Sequence, residues 1–120
     1  MRDPTRGGLA TTLNEIAEAS GLGIIINEKE IPLSSKAKVA CELLGIDPLY
    51  VANEGKLIAI VEEKSADKLL AAMKNHPLGV DAAIIGTVLD KTGAQVSLKT
   101  RYGTTRRVEM LDGEMLPRIC

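Results

Sequence analysis

The sequence contains no tryptophan and no phenylalanine, and Tyr50 and Tyr102 are its only aromatic side chains. A single-stranded nucleic acid would have almost nothing on which to stack its bases. Neither sign of charge is in excess: 15 basic and 16 acidic side chains leave a formal net charge of -1. The basic surplus that phosphate-backbone contacts require is therefore lacking. One histidine and two cysteines cannot supply the usual zinc cluster or a disulfide framework, so no metal centre is expected. The longest apolar runs, such as 57–61, fall far short of the ~20 residues of a membrane helix. The opening residues Arg2 and Asp3 lead into a Pro/Gly-containing segment, not the apolar stretch of a signal peptide. The expectation is a cytoplasmic protein that binds neither nucleic acid nor membrane.

What remains is an aliphatic core. A chain of 120 residues suits one domain, large enough to bury roughly two-thirds of its unfolded surface. Its 45% hydrophobic and 26% charged residues are ordinary for a globular protein. Leu9, Leu13, Ile16 and Ala17 recur at helical spacing and Gly21 stops the run. Residues 24–26 read as a buried strand. A second helix runs from a Ser34 or Ser35 cap to Gly45, with Ala37, Ala40, Cys41 and Leu44 inward. Residues 57–61 read as a strand. A third helix, 66–75, is capped by Ser65, carries a buried stripe of Leu69, Leu70 and Met73, and is closed by His76 and Pro77. His76 there adds favourable charge to a helix end. Three strands follow at 82–89, 95–100 and 105–111, with Lys91-Thr92-Gly93 and Tyr102-Gly103 as hairpin turns. The fold class expected is α+β, a mixed and partly antiparallel sheet with helices on one face. Residues 1–111 form the domain and 112–120 a mobile tail.

Three segments carry candidate chemistry. In Asp3-Pro4-Thr5-Arg6-Gly7-Gly8-Leu9, Asp3 is placed to cap a helix whose first residue is Pro4. Two glycines in the first turns should cost about 1 kcal/mol each relative to alanine, so something offsets them: a phosphate held by helix-start amides beside Thr5 and Arg6, or close packing of the helix on the sheet. The turn Asn53-Glu54-Gly55-Lys56 either aims a carboxylate into a cleft or is a solvated turn with a loose ion pair. The chain ends Leu116-Pro117-Arg118-Ile119-Cys120. A thiol on such a tether can reach a second site, and a thiolate is a strong nucleophile; the alternative is a packed tail with an incidental cysteine. Cys120 is the last residue, which excludes a prenylation box. Cys41 reads as a small core residue.

Together with 47–56 and His76-Pro77-Leu78-Gly79, these segments resemble the HypE family of hydrogenase maturation proteins, within the aminoimidazole ribonucleotide synthetase superfamily. The ending Pro-Arg-Ile-Cys is the most specific part of the likeness, which covers all 120 residues but only the second half of that protein. The resemblance implies an aminoimidazole ribonucleotide synthetase-like C-terminal domain and a division of roles. Cys120 would be nucleophile and carrier of a carbamoyl group, and ATP would drive its dehydration to a thiocyanate whose cyanide passes to the iron of nickel–iron hydrogenase. Glu54 would be the base, Asn53 would orient the substrate, and Asp3, Thr5, Arg6, Gly7 and Gly8 would serve the phosphate side. The absent N-terminal half would bind most of the ATP and magnesium, so the chain alone is expected to be inactive. The implied partners are a carbamoyltransferase and an iron-carrying maturation complex, and the intact protein is expected to be a homodimer. Two other readings stand beside it: another superfamily member, such as a selenophosphate or phosphoribosyl-amidine synthetase, and a non-catalytic interaction or ligand-sensing module.

Overall fold

The structure is a computed structural model that describes residues 7–51 and 57–109. Helix α1 (Gly8–Ser20) leads into strand β1 (Leu22–Asn27); helices α2 (Ser35–Leu44) and α3 (Glu63–Lys74) follow, then strands β2 (Gly86–Thr92), β3 (Val96–Lys99) and β4 (Thr105–Val108). The strands form one sheet in the order β2-β1-β3-β4. β1 runs antiparallel to β2 and parallel to β3, and β3 and β4 are antiparallel. The fold is the expected α+β mixture with a mixed sheet.

Strand β1 is central because its backbone and its side chains are both satisfied on two sides. Ile24 and Ile26 stand opposite Val96 and Leu98, and all four are buried beneath α1 with Ala10, Leu13 and Ala17. Its other edge is taken by β2, so that its buried donors and acceptors are paired on both sides. This placement corrects one of the two expected hairpins. Lys91 and Thr92 belong to β2, and β2 and β3 are not neighbours; the chain passes the start of β1 through Gly93, whose φ of 92° only glycine adopts freely. The Tyr102-Gly103 hairpin is present: β3 and β4 pair, and Thr100 and Thr104 close the turn between them.

The local signals for α2 hold. Ser34 accepts a hydrogen bond from the Ala37 amide at 3.1 Å, and Gly45 ends the helix in the left-handed conformation. Other expectations are revised. Helix α1 begins at Gly8 with Gly7 as its N-cap; the expected Asp3–Pro4 cap lies outside the described residues. Helix α3 begins at Glu63 after Glu62, three residues before the expected start, so Ser65 lies inside it. Residues 57–61 carry only an isolated bridge at Ile58. Strand β2 starts at Gly86 rather than at 82, and β4 ends at Val108. The buried stripes expected on α2 and α3 are only half-covered: no residue of either helix is buried, Leu43 and Leu44 are 81% and 71% exposed, and Cys41 is half-buried. Amphipathic spacing places the apolar side of a helix but does not supply its partner. Among the described residues, the main helix packing on the sheet is that of α1 against β1 and β3.

Candidate functional site

The Gly7–Gly8 helix start and the 47–51 turn meet at the N-terminal end of α1. Gly7 adopts φ 68° and ψ 6°, and among the described residues no side chain caps the helix it starts. Gly8 is buried at φ 64°. A Cβ at Gly8 would stand 2.5 Å from the Val51 carbonyl oxygen and 2.6 Å from that of Leu49, distances real Cβ atoms do not occupy. The second glycine is thus accounted for by close approach of two backbones: α1 lies on the 3-10 turn Pro48–Tyr50, not directly on the sheet at this point. A Cβ at Gly7 would meet the Thr11 side chain.

The turn itself is fastened by its own sequence. Asp47 Oδ1 accepts from the Leu49 amide at 3.0 Å, and Pro48 occupies the first position of the turn, where its missing donor costs nothing. An Asp–Pro cap thus operates at Asp47–Pro48. Leu49 enters the core, and Asp47 Oδ2 accepts from Arg106 Nη2 of β4 at 3.0 Å. Tyr50 donates its hydroxyl hydrogen to the Glu109 carbonyl, 2.6 Å away. Burial raises the Tyr50 phenol above its ordinary value; the nearby Asp47 carboxylate adds to the rise and the Arg106 guanidinium opposes it. Asn14, buried on α1, donates from Nδ2 to the Ala10 carbonyl at 2.8 Å and to the Val108 carbonyl at 3.0 Å. Helix α1, the turn and the end of β4 therefore form one block, joined by close packing at Gly8 and by the hydrogen bonds of Asn14, Asp47 and Tyr50.

Of the candidate residues, Gly7 and Gly8 belong to this block. Asp3, Thr5, Arg6, Asn53, Glu54 and Cys120 lie outside the described residues, as does the tail 112–120. Three residues join this block for which the sequence held signals that were not read. Asp47 precedes a proline, Tyr50 is one of two aromatics, and Asn14 interrupts the apolar face of α1. His76 sits elsewhere. It follows α3 and caps the turn Pro77–Gly79, its Nδ1 accepting from the Leu78 amide at 3.1 Å. No group of three or more His, Cys, Asp or Glu that could hold a metal occurs among the described residues. Among those residues, too, no helix is long and apolar enough to cross a membrane.

Residues 1–99 match the family model described as AIR synthase related protein, C-terminal domain. The chain belongs to that family. Across all 120 residues it is 57% identical to the carbamoyl dehydratase HypE of Cupriavidus necator, of which it covers 34%. The crystal structure of the hydrogenase maturation protein HypE in complex with ATP superposes with a TM-score of 0.90 at 46% identity, over 99% of this chain and 37% of that one. The HypE–HypF complex gives a TM-score of 0.86 at 49% identity, over 92% of this chain and 35% of the other. The chain thus spans about a third of the length of the relatives it matches. Within the family domain, the block around Gly8 is the described part that contains sequence-predicted site residues.

Proposed function

We propose that the chain is the carrier portion of an ATP-dependent carbamoyl dehydratase that makes the cyanide ligand of nickel–iron hydrogenases. The observation that carries the reading is the convergence on one block of Gly8, the 47–51 turn and the end of β4. Each described end of that block adjoins a candidate segment. Arg6 and Thr5 precede Gly7, Asn53 and Glu54 are the second and third residues after Val51, and the tail ending in Cys120 follows Glu109. Likeness to relatives named carbamoyl dehydratase HypE and to an ATP complex supports the same assignment.

In this reading a carbamoyltransferase loads the Cys120 sulfur, as expected for a protein whose relative is found in a HypE–HypF complex. ATP activates the carbamoyl oxygen, which departs as phosphate. Glu54 removes the nitrogen protons, Asn53 orients the amide, and the sulfur is left bearing a terminal thiocyanate. Gly7 and Gly8, with Asp3, Thr5 and Arg6, serve the phosphate side. The start of α1 fits this role, because among the described residues no side chain caps its first-turn amides. The room made by the absent Gly8 side chain is filled by carbonyl oxygens, so an anion is met by amides and by Arg6 rather than in that space. Magnesium and most nucleotide contacts belong to the part of the relatives that this chain does not span, as does the surface of a homodimer. An iron-carrying complex of maturation proteins accepts the cyanide, and the whole pathway runs in the cytoplasm.

The test is mass spectrometry of the C-terminal peptide after incubation of the full-length protein with its carbamoyltransferase, carbamoyl phosphate and ATP. A gain of one carbamoyl group at Cys120 followed by loss of one water is expected. An unmodified Cys120, with partner binding intact in Cys120→Ala, would instead make the chain a non-catalytic interaction module.

A further inference from the structure

Positive charge is spread unevenly along this nearly neutral chain. Residues 99–107 hold Lys99, Arg101, Arg106 and Arg107 and no acidic side chain, and all four cations are exposed. Two of them are already matched. Arg101 donates from Nε to Glu28 Oε1 at 2.7 Å, and Arg106 pairs with Asp47 at 3.0 Å. Lys99 and Arg107 make no ion pair among the described residues. Val96 and Leu98 of β3 are buried beneath α1, so Lys99, and Arg107 opposite Ser97, stand on the other face of the sheet.

Tyr102 sits at the tip of the same hairpin and is 85% exposed, although the chain has only two aromatic side chains. The turn that presents it is preorganised. Thr100 donates its amide to the Thr104 carbonyl at 2.7 Å, and the two hydroxyls lie 2.6 Å apart. Gly103 donates in return to the Thr100 carbonyl at 3.0 Å. The Arg101–Glu28 bond ties the turn to the residue that follows β1. An exposed tyrosine beside arginine, on a turn whose ordering cost is already met within the fold, has the chemistry of a binding anchor.

We propose that the β3–β4 hairpin is a docking surface for an acidic face of a partner protein, with Tyr102 as its anchor and Lys99 and Arg107 as its steering charges. A protein fits better than a nucleic acid. One exposed aromatic gives no stacking platform, and two unmatched cations neutralise too few phosphates. The occupant is the carbamoyltransferase, so the inference rests on the proposed function, which requires that enzyme to meet this chain.

The experiment measures binding of the full-length protein that contains this chain to the carbamoyltransferase of the same organism, by surface plasmon resonance at low and at high salt. Tyr102→Ala should raise Kd about ten-fold. Lys99→Glu combined with Arg107→Glu should slow association about ten-fold at low salt, and the effect should shrink at high salt. Lys68→Glu alters an exposed charge on α3 and should leave Kd as it was. An unchanged Kd in Tyr102→Ala, or an equal loss in Lys68→Glu, would overturn the inference while carbamoylation of the parent protein keeps the proposed function standing. Tyr102 shielded from nitration by tetranitromethane in the full-length protein alone would also overturn it, since the rest of that protein would then be the occupant. A parent protein that neither binds the carbamoyltransferase nor is carbamoylated by it would remove the proposed function itself, and the inference with it.

Discussion

Gly8 and Val51 are held so close that a single methyl group on the glycine would stand 2.5 Å from the Val51 carbonyl oxygen. The contact joins the start of α1 to the segment that runs into Asn53 and Glu54. A sequence feature that suggests phosphate binding is in the first place a packing requirement. It couples the helix start to the 47–51 turn mechanically, whatever else the loop does.

Gly8→Ala should therefore destabilise the fold by about 3 kcal/mol or more, combining a left-handed backbone with overpacking against carbonyl oxygens. Gly45→Ala is the control. Gly45 has a similar φ of 68° but, among the described residues, no atom within 4 Å of its Cβ position, so the backbone cost of about 1 kcal/mol applies. Urea unfolding midpoints of the two variants check this; equal losses would contradict the packing account.

Asn14→Ala should cost about 1–3 kcal/mol, because the buried Val108 carbonyl loses its side-chain donor. Arg106→Gln should cost less than about 1 kcal/mol, since the pair with Asp47 is part-exposed, at 45% and 34% for the two side chains. Asp47→Ala should cost more than Arg106→Gln, because the same carboxylate also caps the turn at Leu49. Thermal unfolding of the three variants gives the order directly.

Tyr50 should titrate above 10.0, the ordinary tyrosine value, because burial and the Asp47 carboxylate both disfavour the phenolate. The folded value is raised, so the stabilisation linked to the protonated phenol is complete below pH 10 and is lost as pH rises through the folded value. The phenolate absorbance of a Tyr102→Phe variant isolates this residue, since the chain has two tyrosines. A midpoint at or below 10 would show that the phenol is neither buried nor beside that charge.

Much of this architecture can be read from local residue order, and the rest fails for identifiable reasons. The alternation at Val96 and Leu98 names the inward face of β3 because both side chains sit opposite the isoleucines of β1. Ser34 and Gly45 bracket α2 through caps that need only neighbouring residues. Sheet order is different: nothing local in residues 86–99 tells that β1 stands between β2 and β3. The stripe at Leu69, Leu70 and Met73 gives the apolar side of α3 correctly but not its coverage, because coverage depends on a partner surface. At the candidate site, the glycine pair was visible as an anomaly, whereas its cause lies about forty residues away, in the Leu49 and Val51 carbonyls. Tyr50 and Asn14 act on backbone carbonyls 59 and 94 residues distant, which no spacing rule connects.

The carrier role of Cys120 is tested most directly by the infrared spectrum of the full-length protein loaded from carbon-13-labelled carbamoyl phosphate. The account predicts a nitrile stretch that appears only after ATP is added, shifts with the isotope, and is missing from Cys120→Ser. A labelled protein that consumes ATP yet shows no nitrile band, or shows the same band in Cys120→Ser, would contradict it.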